Sequence, residues 1–267
     1  MNKIEPYFST KLSCLYNGDC LDVMDYLIEN NCKVDKVITS PPYNIIRPNS
    51  TDRGYDLYKD GMTNEEYIEW VLNIFKKYET LLNANGCILW NMSYGTENTE
   101  CMNLCIAEIL KSTNFTIADI LVWKKQTATP NNVSNNKMTR ICEFVYVFCR
   151  RNEFYSFTAN KKIIGYREDT AQAIYENVFN YFEAKNNDAS TELNKATFSS
   201  DFVNKLVDRY VGDEDVVLDN FSGTGTTMYA CEGRNRKGLY IELSEKQCQY
   251  AKNRVQKGIQ TNIFDMF

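Results

Sequence analysis

The sequence predicts an α/β protein built on a doubly wound, mostly parallel sheet. Three observations carry that expectation. Short apolar runs (Val37-Ile38, Cys87–Trp90, Val216–Leu218, Gly238–Ile241) are bounded by polar or breaking residues and read as buried strands. Helical patterns separate these runs along the chain, which favours parallel strands joined by crossovers. Two of the runs end in unusual turns, Ser40-Pro41-Pro42-Tyr43 and Asn220 to Gly225. The glycine-rich one lies where open α/β sheets bind ligands, at a strand's carboxyl end.

In chain order, residues 10–16 alternate as a strand, and Asn17-Gly18-Asp19 ends it as a turn. Asp19 can cap a helix that places Leu21, Met24, Leu27 and Ile28 on one side. The strand to Ser40 then stops at two prolines, which remove two backbone donors and fix two φ angles. Residues 45–62 are polar and read as a long loop of the kind that serves as a lid or binding element. Thr63-x-x-Glu66 is a capping box that opens a helix through Ile68, Val71, Ile74, Phe75, Tyr78 and Leu82, with Gly86 as its stop. A strand (87–90), a helix (102–111) and a strand (115–123) follow, then a polar loop over 124–139. Strands are expected over 141–148 and 155–158, and a second polar loop over 183–195. Ser199 or Ser200 starts a helix, Val216–Asp219 is a strand, a helix follows Gly225, and Gly238–Glu242 is a strand. Ser244-x-x-Gln247 caps the last helix.

The 267 residues fit one large domain, with no internal repeat and no linker. No run is long and apolar enough to span a bilayer, and no signal-peptide pattern opens the chain, so a cytoplasmic protein is expected. The ten cysteines are scattered without a Cys-x-x-Cys, which gives no support for zinc or dithiol chemistry and points to reduced thiols. There is no histidine, so histidine triads and proton shuttles are excluded and no metal site is expected. Net charge is −5, yet residues 120–167 hold nine Lys and Arg against Glu143 and Glu153 alone. Such a local basic face suits phosphates, although a solvated basic surface would look the same.

The two turns carry the chemistry. The first offers the Ser40 hydroxyl, carbonyls beside Pro41 and Pro42, and the Tyr43 ring. Acceptors beside a flat ring suit a planar base held by its amino group, and an ordinary Pro-Pro loop with a packed Tyr is the plain alternative. In the second, Gly223 and Gly225 let a ligand approach the backbone. Met228 stands where the third glycine of a dinucleotide fingerprint would be, and no P-loop lysine follows, so a nucleoside without a pyrophosphate fits better. Glu242 ends the next strand, where a carboxylate can accept from both ribose hydroxyls.

Together the motifs resemble the S-adenosylmethionine-dependent DNA amino-methyltransferases, the exocyclic-nitrogen class. Ser40-Pro41-Pro42-Tyr43 matches their catalytic tetrapeptide and Asp219-x-Phe221-x-Gly223-x-Gly225 their cofactor loop. The catalytic motif comes first, as in the circularly permuted β group. Asn17-Gly18-Asp19-Cys20, Trp123-Lys124-Lys125 and Ala196-Thr197-Phe198 are supporting matches, and Lys195 stands where the family often has histidine. The resemblance implies a Rossmann-like class I methyltransferase fold as a single domain over 1–267. Small target-recognition insertions are expected around 124–139 and 150–195, helped by the loop 45–62. It implies S-adenosylmethionine as cofactor and double-stranded DNA as partner. A separately acting cognate restriction endonuclease and a homodimer are further expectations.

By the same resemblance, Ser40 Oγ and the Pro41 carbonyl accept the two N–H bonds of a flipped base, and Tyr43 stacks on it. Asp219 lies by the cofactor's methionine amino group, and Phe221, Ser222, Gly223, Gly225 and Thr226 form the floor. Glu242 holds the ribose, and Asp19 and Cys20 lie by the adenine. Lys124, Lys125, Asn131, Asn132, Lys137 and Arg140 are the DNA-side candidates, with Asn135 and Asn136 as further base readers. No proline precedes a cysteine, so methylation at cytosine carbon is rejected. Serine at the first position is usual for cytosine N4, with adenine N6 the alternative. An RNA or protein amide methyltransferase would normally carry its cofactor motif first. A non-catalytic DNA-binding protein would have no need of both motifs intact.

Overall fold

The computed structural model describes residues 3–44, 61–92, 98–127, 135–136, 138–186 and 197–264, with side chains to residue 258. The elements run β1 (Phe8–Ser9), β2 (Ser13–Asn17), α1 (Cys20–Glu29), β3 (Val34–Thr39), α2 (Asn64–Leu81), β4 (Leu82–Met92), α3 (Thr99–Ser112), β5 (Phe115–Lys125), β6 (Cys142–Arg150) and a 3-10 turn at Arg151–Glu153. They continue with β7 (Ile163–Tyr166), β8 (Ala173–Tyr175), β9 (Tyr181–Ala184), α4 (Ser200–Tyr210), β10 (Val216–Asp219), α5 (Thr226–Glu232), β11 (Lys237–Glu242) and α6 (Glu245–Phe264).

Nine strands form one sheet in the order β1-β2-β11-β10-β3-β4-β6-β5-β9, and β7 and β8 pair separately as a hairpin. The central strands β2, β11, β10, β3 and β4 are all parallel. β6 runs antiparallel to β4 and β5. The sheet separates two apolar layers. One holds Val23, Met24 and Leu27 of α1 with Ile74, Phe75 and Tyr78 of α2 and Ile109 of α3. The other holds Phe202, Leu206 and Val207 of α4 with Met228 of α5 and Ala251 of α6. Leu218 and Val37 face the first layer while Val217 and Ile38 face the second, so these strands are buried on both sides and their sequences are continuously apolar.

The caps form as the sequence implies. The Asp19 carboxylate accepts from Leu21 N at 2.8 Å, and the Thr63–Glu66 box closes with bonds of 2.8 and 3.2 Å. Ser199 caps α4, and Ser244 Oγ accepts from Gln247 N.

Three expectations need correction. Gly86 does not stop α2. The helix ends at Leu81, where Arg150 donates to the carbonyls of Glu79, Leu82 and Asn83. Gly86 instead lies inside β4, where a Cβ would sit 2.7 Å from both the Asp35 carbonyl oxygen and the Leu82 side chain. Residues 155–158 form no strand, because the Glu153 carbonyl captures the amides of Ser156 and Phe157 in a turn. Residues 183–184, read as loop, belong to β9, which pairs parallel with β5. The expected lid over 45–62 lies outside the described residues except for Gly61 and Met62.

Candidate active site

β10 and β3 are neighbours at the sheet's centre, and the chain leaves them in opposite directions, β10 toward β11 and β3 toward β4. A crevice opens beyond the carboxyl ends of strands at such a switch point. Here it is a cleft of about 230 Å³, and Ser40 and Gly223 both line it. The two turns, remote in sequence, therefore meet.

The cofactor-loop side is built from β10, β11 and the starts of α1 and α5. Asp219 is 3 % exposed; its Oδ1 accepts from Thr39 Oγ1 at 2.7 Å and from Phe221 N at 3.1 Å. Burial pushes its carboxyl up to about 6, against the pull of those donors toward the ionised form. Glu242 Oε2 accepts from Gly223 N and Oε1 from Ser244 N, both at 2.8 Å, and burial raises this carboxyl too. Gly223 (φ 53°) and Gly225 (φ 75°) take left-handed conformations. A Cβ on Gly225 would also lie 2.6 Å from the Ala251 Cβ of α6. Phe221 contacts Trp70 of α2, ring centroids 5.4 Å apart. Asp19 and Cys20 line the far wall, and burial pushes the Cys20 thiol up to about 12, which keeps it neutral.

The tetrapeptide side is held by its own bonds. Tyr67 Oη donates to the Pro42 carbonyl at 2.6 Å. Asn91, at the end of β4, donates to Tyr43 Oη at 2.7 Å and reaches Ser40 Oγ at 3.2 Å. Asn44, fully buried, brackets residues 61 and 62 through three bonds, which ties the end of the turn to the residues just ahead of α2.

Of the expected cofactor residues, Asp19, Cys20, Asp219, Phe221, Ser222, Gly223, Thr226 and Glu242 line the cleft, whereas Gly225 shapes it from behind. Ser40 and Pro42 line it from the other side, with Pro41 and Tyr43 in the same turn. On the expected DNA face, Lys124 pairs with Glu183 at 3.1 Å and Lys125 with Glu143 at 2.5 Å. The basic stretch is thus more neutralised than its own sequence suggests. Arg140 is half-buried ahead of β6, and Asn135 and Asn136 are exposed. Asn131, Asn132 and Lys137 lie outside the described residues, as do Lys195 and Ala196.

Three buried hydroxyls on the cleft wall have no partner among the described residues: Thr197 Oγ1, Ser222 Oγ and Thr224 Oγ1. An orphaned buried polar group costs about 1–3 kcal/mol, a cost that a polar ligand bound against this wall would remove. Two carboxylates, a neutral thiol, orphaned hydroxyls and the Trp70–Phe221 pair fit the ammonium, ribose and adenine of S-adenosylmethionine.

The family model described as DNA methylase, of the N6/N4 methyltransferases, matches residues 34–253, which include both turns. The chain belongs to the N6/N4 DNA methylase family. This methylase is similar to the type II methyltransferase M.BglII of Bacillus subtilis, 24% identical over 261 residues that cover 90% of this chain and 68% of that protein. It is also similar to M2.MboI of Moraxella bovis, 23% identical over 269 residues, 94% of this chain and 91% of the relative. Among solved structures, the cytosine-N4-specific PvuII DNA methyltransferase matches with a TM-score of 0.70 at 17% identity, over 94% of this chain and 89% of that one. M1.HpyAVI, solved as a complex with SAM, matches with a TM-score of 0.60 at 22% identity, over 91% and 100% of the two chains. These likenesses establish the class I methyltransferase fold.

Some of the methylase's site carries no motif in the sequence. Met62 and Trp70 line the cleft, and Tyr67, Asn91 and Glu143 support the tetrapeptide. For Asn91 a signal existed: a polar residue directly after the buried run Cys87–Trp90, at the same sheet edge as Ser40.

Proposed function

We propose that this chain transfers a methyl group from S-adenosylmethionine to an exocyclic amino nitrogen of a base flipped out of double-stranded DNA, with cytosine N4 the favoured target. The observation that carries this reading is the meeting of Ser40 and Gly223 across one cleft. Bound S-adenosylmethionine supplies an electrophilic methyl group. The protein's share is placement. Asp219 holds the methionine ammonium, Glu242 the ribose hydroxyls, and Asp19 and Cys20 the adenine side. Phe221, Ser222, Gly223, Gly225 and Thr226 form the floor. The base amino nitrogen is a poor nucleophile because its lone pair is delocalised into the ring. Ser40 Oγ and the Pro41 carbonyl accept its two N–H bonds and favour a pyramidal nitrogen, while Tyr43 stacks on the base. A neutral serine guides the proton away, without a histidine.

Cytosine N4 is preferred because serine opens the tetrapeptide; adenine N6 is the alternative. The motif order fits a circularly permuted single domain over 1–267. Target recognition is assigned to 124–139 and 150–195, with Lys124, Lys125, Asn131, Asn132, Lys137 and Arg140 on the DNA side. A cognate endonuclease acting separately, a homodimer and a cytoplasmic location complete the reading; no helix among the described residues is long and apolar enough to cross a membrane. The test is methylation of plasmid DNA followed by nucleoside mass spectrometry. N4-methylcytosine is the expected product, N6-methyladenine would install the alternative, and neither would overturn the assignment.

A further inference from the structure

Behind the tetrapeptide lies a polar row that the transfer described above does not use. Lys125 Nζ, at the end of β5, is 2.5 Å from Glu143 Oε1 on β6. Glu143 Oε2 is 3.0 Å from Asn91 Nδ2 on β4. Asn91 Nδ2 is also 2.7 Å from Tyr43 Oη and 3.2 Å from Ser40 Oγ, and these two oxygens are 3.1 Å apart. Asn91 is 1 % exposed, so no bulk water competes for its amide.

We infer that Asn91 and Glu143 are positioning residues that set which hydrogen-bonding sites Ser40 Oγ presents to the target amino group. The inference rests on the amino-methyl transfer proposed above and names what prepares its acceptor. A carboxylate paired with a lysine only accepts. Asn91 must therefore turn its NH2 toward Glu143, because the reversed amide would press Oδ1 against a negative oxygen. Asn91 Nδ2 carries two hydrogens and has three acceptors in reach. One hydrogen goes to Glu143 and the other to Tyr43 Oη, nearer than Ser40 Oγ. Tyr43 Oη, having accepted, directs its single hydrogen to Ser40 Oγ. The row runs one way, from the ion pair to the serine. One Ser40 lone pair is thereby spent on Tyr43, so its other lone pair and its own hydrogen are what face the base. In the reversed row Ser40 would donate to Tyr43, and that hydrogen would no longer be available to the base.

Glu143→Gln tests this, because a neutral amide in its place lets Asn91 reverse and the row with it. The measurement is the single-turnover rate of methyl transfer to plasmid DNA at saturating S-adenosylmethionine, beside the calorimetric Kd for S-adenosylhomocysteine. We expect a rate loss on the order of tenfold or more in E143Q, as for loss of a preorganised hydrogen bond, with Kd within about twofold of wild type. In a Tyr43→Phe background, which keeps the ring and breaks the row, E143Q should cost nothing further. An E143Q rate equal to wild type, or the same loss in both backgrounds, overturns the inference. Should E143Q not fold, an unchanged rate in Y43F alone overturns it, and a loss in Y43F with normal Kd supports it. A wild-type protein that methylates no DNA would sink the functional reading instead. The row is then judged by the Asn91 side-chain amide resonances, which should shift in E143Q; unshifted resonances overturn it.

Discussion

The two walls of the cleft differ in how their polar groups are used. On the tetrapeptide wall, Ser40, Tyr43 and Pro42 are bonded to Asn91 and Tyr67, so the groups proposed to meet the base are fixed before any ligand arrives. On the cofactor wall, Thr197, Ser222 and Thr224 leave buried hydroxyls open. Apart from Asn91 Oδ1, the first wall is finished by the protein, and the other waits for a small molecule. Rate should thus depend on the first and affinity on the second, which gives a set of experiments able to separate them.

The largest effect belongs to the finished wall. Tyr43→Ala should lower methyl transfer by roughly a thousandfold, as loss of orientation and of a preorganised contact together would. Cofactor Kd should stay unchanged by calorimetry, and normal turnover would erase the distinction between the walls. Asp219→Ala should do the reverse, weakening cofactor binding by about 1.5–3 kcal/mol, the worth of a hydrogen bond to a charged group, before DNA affinity moves. An unchanged Kd would remove Asp219 from the site.

A pH titration sharpens the same contrast. With the Asp219 carboxyl raised to about 6 in the free protein, it is largely protonated at pH 5 and must lose that proton to hold an ammonium. Cofactor affinity should therefore fall by about tenfold per pH unit below 6. Asp219→Asn should remove the part of the dependence centred near 6 and leave only what Glu242, whose carboxyl burial also raises, contributes. The same raised value means that ionising Asp219 disfavours the folded state, so its contribution to stability declines as pH rises from its unfolded value, 3.8, through 6.

Gly225→Ala should cost about 1–3 kcal/mol of stability through the left-handed φ and the overpacking against Ala251. It should lower Tm and cofactor affinity together; a Tm equal to wild type would mean that α6 yields easily. The smallest effect is expected at Lys124→Ala, whose exposed pair with Glu183 is worth less than about 1 kcal/mol. Any rise in the KM for DNA should shrink as salt is added, and no change at low salt would take Lys124 off the DNA face.

The parts legible in the sequence were those fixed by local chemistry. Asp19 and the Thr63–Glu66 box cap their helices with side chains two or three residues from the amides they serve. Val217 and Leu218 are apolar because both faces of β10 are covered. What was not legible depends on distant partners. The end of α2 is set by Arg150, some seventy residues on. β9 exists only through its pairing with β5, and Tyr181 there is largely exposed. Glu143 reads as an ordinary surface acid until β6 is laid beside β4 and its carboxylate meets Asn91. The cofactor half was readable because its glycines and its strand-end acids fall within one short stretch, 219–242.

The place of β10 between β11 and β3 has a consequence for synthesis. A ribosome delivers the Ser40 turn early and the strand beside it some 180 residues later. At about 5–20 residues per second, the nascent chain carries an acceptor turn for many seconds with nothing to place a methyl donor against it. On the proposed assignment, no truncated product ending before β10 would modify a base, and activity would appear only when the middle of the sheet is filled.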